Sequence, residues 1–176
     1  SKIKDCICSH CYSETMNKRF KNLREKLIRN TELLTTVIIP VEDIPILYSP
    51  TNYFRFEAFG DLINEIQVLN YFNFAKYNPT VNFALWTKNP WIIDKAIKAY
   101  RIEKPENLTI IGSSYMINQV MEYKQYSFID YTFTVYTKEY AAENNIAILC
   151  GGRSCADCGK CYTRSHASRN ITELLK

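Results

Sequence analysis

Residues 81–112 read VNFALWTKNPWIIDKAIKAYRIEKPENLTIIG. The apolar run Val81–Thr87 reads as a buried strand. Asn89-Pro90 then supplies an N-cap and a proline at the first helical position, where a missing N–H costs nothing, for a helix over Trp91–Tyr100. Leu108–Gly112 is the next strand. Two strands joined through a helix of this length form a βαβ crossover, which sets them parallel.

The same alternation extends outward from this unit. Glu14–Asn30 reads as an amphipathic helix with Met16, Phe20, Leu23 and Leu27 at helical spacing. Lys18, Arg19, Lys21, Arg24, Lys26 and Arg29 fall on its other surfaces, either as a solvated face or as a phosphate-binding one. Thr35–Ile39 and Tyr53–Ala58 read as strands, and Asp61–Tyr77 as a helix turning Leu62, Ile66 and Leu69 inward. Beyond residue 112 the pattern predicts a helix through Ile117–Tyr123, strands at Phe128–Tyr136 and Ile146–Cys150, and a helix over Ser165–Lys176.

The expected fold is therefore α/β, one domain over residues 1–176. It is either a partial (β/α) barrel or an open, mainly parallel sheet of five or six strands. Ligands of such sheets bind at the carboxyl ends of the strands. Gly60-Asp61, Thr87-Lys88-Asn89, Ser113-Ser114 and a cysteine cluster opening at Cys150 are predicted to fall at those ends.

The seven cysteines lie near the two ends of the chain. Cys6, Cys8 and Cys11 sit in DCICSHCYS, and Cys150, Cys155, Cys158 and Cys161 in CGGRSCADCGKCY. One to four residues between neighbours let their thiolates converge on one centre. An odd count with such spacings points to metal or cluster ligation rather than to disulfides. A cytoplasmic location is expected: Ser1–Lys4 is polar and carries no export signal, and no run approaches the ~18 apolar residues of a membrane span.

In the C-terminal group, successive C-x-x-C steps crowd the ligands together as ferredoxin-type clusters do. Structural zinc more often takes two separated knuckles, although CADCG also fits one, so zinc is the alternative. Gly151, Gly152 and Gly159 would let the backbone turn tightly around such a centre. Three ligands from the N-terminal group would leave one iron of a [4Fe–4S] cluster open to a substrate, cofactor or water. Two other readings stand beside it: Cys8 and Cys11 ligate while Cys6 is a bystander, or both groups join in one mixed site. His10 is either a substitute ligand or a solvent-facing loop residue, and His166 is expected at the surface of a helix start. Tyr12 either packs over the cluster or fills the core.

Cys8–Tyr12, the basic helix, Phe54–Asp61, Asn78–Lys88 and Cys150–Tyr162 follow one another in an order that resembles the "gene product 88" domain proteins of phages and bacteria. More distantly, the layout is similar to radical S-adenosylmethionine enzymes. That similarity implies a [4Fe–4S] cluster on Cys6, Cys8 and Cys11, with Gly60 and Asp61 at a strand end receiving the methionine ammonium group. Lys88 or Ser113 would reach the carboxylate or ribose, and a second cluster would sit near the C-terminus. It further implies an electron donor as partner, reductive cleavage of S-adenosylmethionine, and hydrogen abstraction from a small-molecule or macromolecular substrate. Those enzymes space their loop C-x3-C-x2-C, whereas here a single residue separates Cys6 from Cys8.

The rival expectation is a zinc- or cluster-stabilised binding module without catalysis. In it the basic helix, Arg153, Lys160, Arg164 and Arg169 would contact nucleic acid or a protein. A formal charge of +4 does not by itself imply a nucleic-acid partner. Trp86 and Tyr115 either line a pocket or belong to the core, and Glu57 with Asp61 could form an acid/base pair. P-loop, G-x-S-x-G and H-E-x-x-H motifs are absent.

Overall fold

Phe83 and Leu85 face one side of a sheet, and Ala84 and Trp86 the other. This is the period of two that an extended chain imposes. The computed structural model describes residues 5–48 and 50–175. Ser1–Lys4, Ser49, Lys176 and the side chain of Tyr12 lie outside the described residues, so the readings of an export signal and of Tyr12 are not addressed by it.

Along the chain come α1 (Tyr12–Arg19), α2 (Lys21–Thr36), β1 (Tyr53–Phe56), α3 (Glu65–Tyr77), β2 (Asn82–Thr87), α4 (Pro90–Tyr100) and β3 (Leu108–Ser113). They are followed by β4 (Tyr131–Tyr136), α5 (Lys138–Glu143), α6 (Cys155–Cys158), α7 (Lys160–Thr163) and β5 (Asn170–Leu174). The five strands lie in the order β1-β2-β3-β4-β5, and every neighbouring pair is parallel. The fold is thus an open parallel α/β sheet.

The two faces are covered differently. Helices α3 and α4 press Val68, Phe72, Ala75, Ile93 and Ala96 onto Phe83, Leu85, Leu108 and Ile110, all fully buried. Gly112 lies under the ring of Tyr123, and a Cβ there would come within 2.3 Å of Tyr123 Cδ2. On the opposite face, α7 places Tyr162 against Ala84, Ile111, Tyr131 and Ile171. Tyr162 also stacks on Tyr53 with ring centroids 4.9 Å apart.

Several expected elements differ. The single helix over Glu14–Asn30 is two helices, broken at Phe20, whose backbone is extended (φ −119°, ψ 96°). Thr35–Ile39 is not a strand: α2 runs to Thr36, and buried Asn70 serves the backbone beyond it. Asn70 accepts from the Ile39 N–H and donates to the carbonyls of Leu34 and Val37, so those groups need no sheet neighbour. The helix expected from Asp61 begins at Glu65, capped by Asn64.

Ile117–Tyr123 forms no helix. Ser114 and Asn118 donate instead to the carbonyls of Phe133 and Val135, and Asn118 takes a left-handed backbone (φ 63°). Ile146–Cys150 makes one bridge, Cys150 to Glu173, and no strand. The edge strand comes from Asn170–Leu174, within the stretch expected to be helical, because its backbone completes the ladder with β4. No helix among the described residues is long and apolar enough to cross a membrane.

Candidate functional site

The N-terminal cysteine loop is held at the carboxyl edge of the sheet by backbone pairing. Ile7 N–H donates to Tyr115 O and Ile117 N–H to Asp5 O, both at 2.9 Å, which sets Cys6 antiparallel to Met116 just beyond β3. Ser9 Oγ closes the loop on Cys6 O at 2.7 Å. Burial raises the proton affinity of the Cys8 thiol, the Lys88 ammonium opposes this, and Cys6 and Cys11 add to it. These three thiols and Lys88 therefore share one electrostatic neighbourhood. Tyr115 belongs to it too: burial and the charges of Asp61, Cys8 and Cys6 push its hydroxyl upward. That hydroxyl donates to Lys88 O at 2.7 Å and approaches Asn89 Oδ1 at 3.1 Å.

Asp61 is committed to the fold at the same edge. Its Oδ1 accepts from Leu62 N at 2.8 Å and Thr87 Oγ1 at 2.6 Å, and its Oδ2 from Lys88 N at 2.9 Å. Gly60, at φ +122°, precedes it in a conformation that favours glycine, and a Cβ there would meet Glu57 Oε2 at 3.0 Å. Glu57 itself accepts from Gln67 Nε2 and from Tyr71 OH. Burial raises the Glu57 carboxyl, with the Tyr71 hydrogen bond opposing and Asp61 reinforcing the shift. Ser113 is buried at the end of β3, and its carbonyl takes the Tyr123 hydroxyl at 2.6 Å. Asn89 is the N-cap by position but makes no side-chain cap bond, its amide donating instead to Leu62 O at 3.1 Å.

The C-terminal cysteines meet over the other face of the sheet. Cys150 N–H donates to Thr172 O, and Ser154 Oγ caps α6 by accepting from Asp157 N. Gly159 turns the chain from α6 into α7 at φ +63°, and a Cβ there would lie 2.6 Å from Tyr53 Oη. Cys150 and Cys161 pack against the apolar cluster of Ala84, Ile111 and Tyr162. Burial, then the neighbouring Cys150, Cys155 and Cys158, push the Cys161 thiol up to about 12, while Arg55 pulls it down. Arg55 lies flat over Trp86 at 4.2 Å from the ring centroid, and its Nε is buried with no hydrogen-bond partner.

His166, expected at the surface of a helix, is half-buried in no helix. Its Nε2 is 3.2 Å from Cys161 Sγ, and its ring packs edge-on to Tyr131. Burial, with Lys160 nearby, lowers its proton affinity. Neither this contact nor Arg55 was legible as a site feature. The usable signal for Arg55 was a charged residue alternating with aromatics inside a strand, in Tyr53-Phe54-Arg55-Phe56.

All seven cysteines are free thiols. Each group answers to its own neighbours: Cys8 to Cys6, Cys11 and Lys88, and Cys161 to Cys150, Cys155, Cys158 and Arg55. Among the described residues, no three His, Cys, Asp or Glu side chains close into a metal-holding group. The thiol-rich donor sets, and the buried orphan donor of Arg55 beside one of them, are nonetheless what an anionic thiolate centre requires.

Two of the bases expected to meet nucleic acid are engaged within the protein. Arg164 donates to Glu106 O and Leu108 O at 2.8 Å and pairs with Asp130 at 3.3 Å. Arg169 donates to Ile129 O at 3.2 Å. Lys21, Arg24, Lys26 and Arg29 on α2 are exposed. A groove of about 610 Å³ beside α2 is lined by Arg24, Leu27, Ile28 and Phe59 and by none of the cysteines.

No curated protein and no solved structure shows a significant match to the chain. A family model described as Gene product 88 matches residues 2–164, a span that takes in both cysteine groups and all but the last strand. The chain belongs to the phage Gene product 88 family.

Proposed function

We propose that this chain is an iron–sulfur protein of radical S-adenosylmethionine type, with an open [4Fe–4S] site on Cys6, Cys8 and Cys11 and a second cluster on Cys150, Cys155, Cys158 and Cys161. The observation that carries the reading is the pairing of residues 5–7 with 115–117. It docks the three-cysteine loop beside Lys88 at the carboxyl edge of a parallel sheet, where ligands of such folds bind. When bound, a cluster with one open iron supplies an electron to a ligand held at that iron.

The chain's own residues have separable roles in this reading. Lys88 presents a cation beside Cys8 for a ligand carboxylate. A carboxylate offers about four acceptor positions. Asp61 spends three of them on Leu62, Thr87 and Lys88, which leaves capacity for a ligand ammonium. Tyr115 and Asn89 fix the Lys88 backbone by hydrogen bonding, and Gly60 admits the tight approach of the loop after β1. Ser113 is buried and acts through its carbonyl on Tyr123, which makes it a positioning residue for the edge.

Zinc is the alternative at the C-terminal site, and the Cys161–His166 contact favours it there, since structural zinc accepts mixed Cys and His ligands. The binding-module reading loses two of its bases to Asp130 and to backbone carbonyls, which leaves α2 as its remaining surface.

The test is iron, sulfide and zinc analysis of anaerobically purified protein, with electron paramagnetic resonance of the reduced form before and after adding S-adenosylmethionine. About eight irons and eight sulfides per chain, the content of two [4Fe–4S] clusters, with a signal that changes on addition, is expected. Four irons with no change would remove the S-adenosylmethionine chemistry. Zinc without iron would overturn the reading.

A further inference from the structure

We propose that Arg55 is the counter-charge of the C-terminal cysteine site: its guanidinium, laid flat on Trp86 with a buried and unbonded Nε–H, donates to a sulfur of the centre held there and raises its reduction potential. The inference rests on the iron–sulfur reading of that site.

Three observations converge on it. Arg55 lies on β1 opposite Ala84 of β2, and Ala84 belongs to the same buried cluster as Tyr162, Trp86, Cys150 and Cys161. Stacking on Trp86 at 4.2 Å restricts the orientation of the guanidinium. Among the described residues no carboxylate pairs with Arg55, and its Nε is buried without an acceptor. A buried donor and cation without partners is unfavourable unless an anion or acceptor completes the site. The thiols nearest to hand are those of the C-terminal group, whose Cys161 feels the Arg55 charge directly.

The consequence is electrostatic. A thiolate-ligated cluster carries net negative charge, which grows by one on reduction. A fixed cation beside it stabilises the reduced form more than the oxidised one, and a hydrogen bond to sulfur acts in the same direction. Arg55 therefore biases the site toward accepting an electron. It touches the centre and not the sheet edge, so it acts on the second site alone.

The experiment compares wild-type protein, Arg55→Gln and Arg55→Lys, each reconstituted anaerobically with ferrous iron and sulfide. The C-terminal cluster is followed by potentiometric titration in a background where Cys6, Cys8 and Cys11 are serine. The expected result is a fall of at least tenfold in the reduction equilibrium of Arg55→Gln, which is 59 mV for one electron. Arg55→Lys, which keeps the charge and loses the planar fork, falls between the two. The rise in melting temperature on loading is also expected to be smaller in Arg55→Gln than in wild type. Equal potentials and equal stabilisation across the three proteins would overturn the role of Arg55 while leaving the iron–sulfur reading intact. Should Arg55→Gln not fold, an Arg55→Lys potential equal to wild type would overturn it. Failure of the wild-type background to take up iron and sulfide would overturn both.

Discussion

Thr87 Oγ1 donates to Asp61 Oδ1 at 2.6 Å, so the carboxylate after β1 holds the end of β2. The Lys88 N–H on the other oxygen and the Leu62 N–H on the same one complete the clamp. This single side chain positions the loop that presents Lys88 to Cys8. Structural and ligand-binding roles therefore meet in one residue, and they can be separated experimentally.

Asp61→Asn keeps one oxygen and replaces the other by an amide nitrogen, which cannot accept from Thr87 and Lys88 together. A loss of about 1–3 kcal/mol is expected, the cost of leaving a buried donor unmade beside a former charge. Urea denaturation of the metal-free protein measures it. A variant with the wild-type midpoint would mean that the clamp is not formed in solution.

Glu57 gives the chain a pH-dependent stability. Burial raises its carboxyl above the ordinary value of 4.5, so the folded state holds the proton to higher pH than the unfolded one. Its contribution is complete below the unfolded value and is lost as pH rises through the folded value. Glu57→Gln cannot ionise, so it is expected to gain on the wild type as pH increases from about 4 to about 7. Denaturation midpoints of both proteins at the two pH values test this, and a constant difference would contradict it.

Asp130 joins three elements. It pairs with Lys104 at 2.7 Å and Arg164 at 3.3 Å and accepts from Ile110 N at 2.8 Å. The Lys104 and Asp130 side chains are only 19% and 17% exposed. Removing one partner of such a pair strands the other, so Asp130→Ala is expected to cost roughly 3 kcal/mol. Arg164→Ala is expected to lower the melting temperature as well, through the lost bonds to Glu106 and Leu108. A nucleic-acid role for Arg164 predicts the opposite pattern, unchanged stability with weaker salt-sensitive binding, and calorimetry beside a filter-binding assay distinguishes the two.

Thiol reactivity separates the cysteines. Cys155 is exposed, whereas Cys161 is half-buried and holds its proton to about 12. Thiolate is the reactive form, so at neutral pH iodoacetamide is expected to label Cys155 at least tenfold faster than Cys161. Peptide mass mapping over time gives both rates. Equal rates would place Cys161 in a more open and more anionic setting than the packing against Tyr162 provides.

Local chemistry made much of the fold legible. Residues 81–112 carry their own strand periodicity, a proline at the helix start and a second strand, and all three appear at or within a residue of the expected bounds. Elements whose state depends on distant partners did not reveal themselves. Thr35–Ile39 has strand-like composition, yet Asn70, 31 residues from Ile39, serves its backbone. Ile146–Cys150 and Asn170–Leu174 compete for the edge beside β4, and nothing within either stretch says which wins.

The same division applies to the candidate site. Grouping of the cysteines is a matter of a few residues of spacing, and both groups were evident from sequence, as was the candidacy of Asp61 and Lys88. Their surroundings were not. Arg55 reaches Trp86 and Cys161 through strand pairing and through the return of α7 across the sheet, and His166 reaches Cys161 through a turn that replaces the expected helix. Periodicity, caps and ligand spacing act over a few residues, so the sequence by itself determined the parallel α/β class and the two thiol groups. Strand choice at the edge, the Asp61 clamp and the cation beneath the second thiol group depend on contacts between segments far apart in the chain, and only the tertiary structure decided them.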